Sequence, residues 1–143
     1  MNVAAPRPLG FWIVSVLALL WNLVGMAIFF MQINMPPEAL AAMPAEQRAL
    51  YESTPVWVNG AFAVAVFGGA LGSAMLLMRK RLALPLLALS LLGVVVQMGY
   101  TYLMTPAFRV YGASGAILPA LLVLIALFLV WFARRSLARG WIS

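Results

Sequence analysis

The chain has 143 residues, 66% of them hydrophobic and 8% charged, with a net charge of +6. A water-soluble domain carries roughly 25% charged residues, so the composition excludes one and points to a single membrane domain over residues 1–143. Cysteine, histidine and aspartate are all absent, which leaves almost no parts for disulfides, a metal or haem ligand set, or a nucleophile–base pair.

Residues 1–10 contain Pro6 and Pro8 and read as a short lead. The first predicted span covers residues 11–31, with Trp12 placed as an interfacial anchor. About 20 apolar residues at 1.5 Å rise cross a hydrocarbon core of roughly 30 Å. A cleaved signal peptide is the alternative, with Ala39-Leu40-Ala41 as a small-x-small site. Signal cores run about 7–15 apolar residues. This run is longer and the triplet lies well past its end, so an uncleaved helix is expected.

Residues 32–55 form the one loop of any size, punctuated by Pro36, Pro37, Pro44 and Pro55. Proline followed by Glu38 or Glu46 suits a helix start. Two short interfacial helices are expected, over 38–43 and 45–53. Trp57 then marks the entry to a second span, 56–78. Arg79-Lys80-Arg81 is the turn into a third, 82–104, with Pro85 harmless in its first turn. A short connection with Pro106, Phe108 and Tyr111 leads to a fourth, 112–133. Pro119, two turns into that span, is expected to kink it.

The basic residues orient the bundle. Arg7, Arg79, Lys80, Arg81, Arg134, Arg135 and Arg139 fall on one side, Arg48 and Arg109 on the other. Lys and Arg are retained on the cytoplasmic side, so both termini are expected there. The same asymmetry predicts contact with the bilayer's anionic head groups. No aromatic–basic motif points to nucleic acid.

The second span is rich in small residues. Ala61, Ala65, Gly69 and Ser73 recur every four residues, beside Gly68-x-x-x-Gly72. Small residues let membrane helices approach closely. The stripe serves either packing within the chain or an interface with a second copy or another membrane protein.

Ser15, Ala18, Asn22 and Gly25 share one face of the first helix. Ser90, Gly93, Gln97 and Tyr100 repeat that spacing on the third, which suggests two related hairpins. Asn22 and Gln97 are uncharged polar groups at membrane depth. An unpaired carboxamide there costs several kcal/mol, so bonds to each other, to Tyr100, Thr101 or Ser73, or to backbone are expected. They form either a polar clamp or a small solute site near the midplane, where transporters bind. No ionisable residue lies within a predicted span, although proton- and ion-coupled pumps usually need one. Met26, Met31, Met35 and Met43 form no convincing copper-ligand cluster, and adaptable packing accounts for them.

Several stretches carry a resemblance: Trp21-Asn22-Leu23-Val24-Gly25, Pro55-Val56-Trp57, the run from Ala65 to Gly72, Leu76-Leu77-Met78-Arg79-Lys80, and Ser90-Leu91-Leu92-Gly93-Val94 followed by Gln97. In this order the chain resembles a family of small four-span bacterial inner-membrane proteins, often labelled "sugar transporter". The resemblance covers residues 11–104 and, more loosely, the last helix. It implies a transport role and brings no site residues.

The expected fold is all-α, an up-down-up-down four-transmembrane-helix bundle with a short helical outer loop. The expected function is non-enzymatic, an accessory or interaction protein of the bacterial inner membrane without cofactor or metal. The alternative is a small-solute transporter acting as an oligomer, for which the resemblance implies a sugar.

Overall fold

The computed structural model describes residues 8–112 and 117–143. The N-terminal lead with Arg7, and residues 113–116 of the predicted fourth span, lie outside the described residues. Every regular element among the described residues is an α-helix: α1 (Leu9–Ile33), α2 (Pro37–Ala42), α3 (Ala45–Ser53), α4 (Val56–Leu77), α5 (Ala83–Leu103), α6 (Ala107–Tyr111) and α7 (Ile117–Ala138). Four of them, α1, α4, α5 and α7, are long and apolar enough to cross a membrane. Leu17, Val24, Leu92 and Leu124 are more than two-fifths exposed along them. Water penalises such a surface and hydrocarbon accepts it. The chain is a multi-pass integral membrane protein.

The helices start where proline allows it. Pro8, Pro36, Pro44 and Pro55 are the N-cap residues of α1 to α4. Each has an extended ψ and no N–H to leave unsatisfied. Pro119 is the third described residue of α7, directly after residues 113–116. The preceding turn, on which the expected kink at Pro119 depends, lies outside the described residues.

The ends of α4 and α7 share one device. Arg79 has φ 60° and Gly140 has φ 73°. Lys80 N–H reaches the Met75 carbonyl (2.8 Å) and Trp141 N–H the Ser136 carbonyl (2.9 Å). Both are left-handed Schellman caps that satisfy otherwise orphan carbonyls. The α7 cap turns the chain back under the bundle. Ser143 N–H then bonds the Arg79 carbonyl, and Arg81 N–H bonds the Ser143 carbonyl, both at 3.1 Å.

α4 lies at the centre, flanked by α5 and α1, and α7 packs on α5. Small residues set these crossings. A Cβ on Gly93 would meet the Ala61 carbonyl oxygen at 2.7 Å, and one on Gly72 would meet Leu87 Cγ at 2.7 Å. Only glycine admits α5 this close to α4. The Ser90 hydroxyl donates to the Ala65 carbonyl across the same crossing (2.5 Å).

The core sits at the basic end. Phe11, Leu76, Leu87, Leu129, Phe132 and Ile142 belong to one buried cluster. Phe11 stacks on Phe132, and Trp141 packs edge-on to Phe11, each with centroids 5.9 Å apart. This aromatic plug ties the outer helices α1 and α7 together. Apart from these side-chain contacts, α1 and α7 are not an extensively packed pair.

Candidate functional site

The consequence of closing one end is a cleft at the other. α1 and α7 form its walls, α4 and α5 its floor. Its deep part has a volume of about 370 Å³ and is lined by Trp21, Asn22, Ile28, Val66, Val94, Gln97, Ile125 and Leu129, among others. Its mouth has a volume of about 1100 Å³ and is lined by Gln32, Tyr51, Tyr100, Thr101, Tyr102 and Pro119, among others. Ile28, Gln32, Gln97, Met98 and Leu122 line both, so the two parts are continuous. Small-molecule sites commonly measure about 300–1,000 Å³, mostly apolar with a few polar groups. No Lys, Arg, Asp or Glu is among the lining residues of either part.

Local periodicity delivers the side chains. Phe11, Ser15, Ala18, Asn22 and Phe29 are the buried residues of α1, separated by four, three, four and seven residues, so they share one face. Trp21, Gly25, Ile28 and Gln32 repeat the same spacing one residue earlier and line the deep part of the cleft. On α5 the buried residues are Ala83, Leu87, Ser90 and Gly93. The stripe continues four residues on to Gln97, which is only half-buried because the cleft opens there.

The amide donors of Asn22 are satisfied within the protein. Its Nδ2 donates to the Ala18 carbonyl at 2.8 Å and to Ser73 Oγ at 3.4 Å. The carboxamide lies over Gly69, where a Cβ would come within 2.6 Å of Asn22 Cγ. Gln97 makes no side-chain hydrogen bond to the described residues. Its backbone carbonyl accepts from Thr101 (2.9 Å).

The sequence left open a bond between Asn22 and Gln97, and there is none. Asn22 lies eleven residues below the loop end of α1 and Gln97 six below that of α5, so they differ in depth by about 7.5 Å at 1.5 Å per residue. They also sit on opposite flanks of α4. Tyr100 pairs edge-on with Trp57 instead (5.3 Å), and Ser73 belongs to Asn22. The two-hairpin similarity has no counterpart in the packing. A two-fold relation would make α7 on α1 equal to α4 on α5, yet the latter pair is the most extensive and the former is open.

The small-residue stripe of α4 divides between two neighbours. Gly68, Gly72, Ala61 and Ala65 meet α5, and Gly69 meets Asn22 of α1. Arg79, Lys80, Arg81, Arg134 and Arg135 are exposed around the closed end. Arg135 also lies 5.6 Å over the Trp131 ring, as expected of an interfacial pair.

Sequence reasoning missed the cleft and Gln32. The first predicted span stopped at Met31, one residue short. Extending the stripe from Trp21 by its own spacing would have included Gln32. The Tyr51 hydroxyl donates to the Gln32 carbonyl and so ties α3 over the mouth. The return of the C-terminal segment was missed as well, and Gly140 with Trp141 was its only signal.

Comparison with protein-family models, curated proteins and solved structures found no match.

Proposed function

We propose that this chain is a non-enzymatic, ligand-binding accessory protein of the bacterial inner membrane, with both termini in the cytoplasm and the cleft as its working surface. The carrying observation is Gln97. A carboxamide in the lining of an apolar cleft, without a hydrogen-bond partner among the described residues, has two donors and an acceptor to offer. The uncharged lining favours an uncharged ligand, because a buried unpaired charge is far more costly than a hydroxyl or amide. The residue inventory supports binding rather than catalysis. The resemblance to small four-span inner-membrane proteins agrees with the setting.

The test is native mass spectrometry of the purified chain with identification of what co-purifies, followed by thermal stabilisation with uncharged compounds. Stabilisation that Gln97→Leu reduces supports the reading. Stabilisation by charged compounds alone would overturn it.

Solute transport by an oligomer is the second reading, and the same free carboxamide favours it. The aromatic plug opposes it, since Phe11, Phe132 and Ile142 leave no path at the basic end. Saturable uptake of an uncharged solute into vesicles, lost in folded Gln97→Leu, would favour transport.

A further inference from the structure

Three properties of the cleft narrow the ligand, taking the cleft as the ligand seat proposed above. The first is depth. On α1 the lining runs from Trp21 to Gln32. Eleven residues at 1.5 Å rise give about 16 Å, close to half of a core of roughly 30 Å. The cleft therefore spans one leaflet, the one on the loop side.

The second is a polarity gradient along that depth. Val94, Ile125 and Leu129 line the bottom, and the two polar residues beside them, Asn22 and Ser90, already donate their hydrogens within the protein. Tyr51, Thr101 and Tyr102 line the mouth, at the level where lipid head groups meet the hydrocarbon. The third is access. Among the described residues the two walls meet through the aromatic plug at the basic end, and Ile28 on the α1 lip is half exposed. The gap toward the loops faces the bilayer.

A free solute would not need the gradient, and an anionic lipid would want a cation that the lining lacks. We infer that the occupant is a neutral membrane amphiphile entering sideways from the loop-side leaflet. One acyl chain lies in the deep part. An uncharged, hydroxyl-bearing head group lies at the mouth, and Gln97 bonds the polar linkage between them.

The experiment uses the whole chain in phosphatidylcholine nanodiscs with a monoacylglycerol carrying a diazirine at the chain terminus. Photolabelled residues are read by mass spectrometry. Saturable labelling of Val94, Ile125 or Leu129 is expected, displaced by unlabelled monoacylglycerol. Ala126→Trp should reduce it by about tenfold or more, because Ala126 is buried at the cleft bottom and an indole there overfills the space. Leu122→Trp, at the junction of the two parts, does the same should Ala126→Trp fail to fold.

Labelling that is unsaturable and equally strong on lipid-facing Leu124 and Leu127 would mean ordinary annular lipid and would overturn the inference. Equal displacement by a monoacyl phosphate would overturn the neutral head group. A co-purifying membrane protein cross-linked through Ile125 would replace the lipid with a partner helix. Stabilisation by soluble glycerol ethers without any lipid labelling would sink the lipid and leave the cleft as a ligand seat. The absence of both would remove the ligand seat itself.

Discussion

The carboxamide of Asn22 occupies the space that a side chain at position 69 would need. Gly69 thus does more than thin the α1–α4 crossing, because it houses a polar group whose donor reaches Ser73 Oγ. Gly69→Ala should destabilise the protein by about 1–3 kcal/mol through overpacking. Asn22→Ala should cost about 0.6–2 kcal/mol, the range for intramembrane hydrogen bonds. The double variant should cost clearly less than the sum, since the clash disappears with Asn22. Thermal melts in detergent measure the cycle, and strict additivity would disprove the contact.

Glycines elsewhere divide by what surrounds them. A Cβ on Gly93 would meet backbone atoms of Ala61 and Ala65, at 2.7 and 2.8 Å, which cannot rotate away. One on Gly99 would meet nothing within 4 Å. Gly93→Ala should therefore be more damaging than Gly69→Ala. Gly99→Ala should be neutral or stabilising by up to about 1 kcal/mol from helix propensity. Equal melting shifts for the two would contradict the α4–α5 packing.

Gln97→Leu should leave the melting temperature of the ligand-free protein nearly unchanged, because its side chain bonds none of the described residues. Ligand stabilisation should fall. A large loss of stability without ligand would show that Gln97 has a structural partner after all.

The C-terminal return is a closure of the basic end. Ile142 is 1% exposed within the core cluster. Ile142→Ala should cost about 2–5 kcal/mol, as other core truncations do. At Arg79, a non-glycine residue holds a left-handed φ of 60°, so Arg79→Gly should stabilise by about 1 kcal/mol. Chemical denaturation of both variants, compared with wild type, checks the two signs.

Reporter fusions after residues 43, 80, 109 and 143 test the orientation. Outside activity is expected at 43 and 109, and inside activity at 80 and 143. The reverse pattern would place the cleft in the cytoplasmic leaflet.

Much of the fold was legible along the chain. Long apolar runs, the Arg79-Lys80-Arg81 turn and the prolines at helix starts set four spans and a helical loop. Hydrocarbon cannot satisfy a free backbone, so such runs have little choice but helix. Local spacing also placed Asn22 on the buried stripe of α1 and Gln97 on that of α5. Which partners those groups meet was decided only in three dimensions. Asn22 finds Ser73 because α1 crosses α4 over Gly69, and Gln97 finds none among the described residues because α1 and α7 part above it. That parting depends on where bulk accumulates. Phe11, Phe132, Trp141 and Ile142 are scattered through 132 residues of sequence, and they become one plug only after α7 packs on α5 and its end turns back at Gly140. Side-chain volumes summed across distant segments set the gap between the outer helices, and periodicity within a single helix carries no record of that sum.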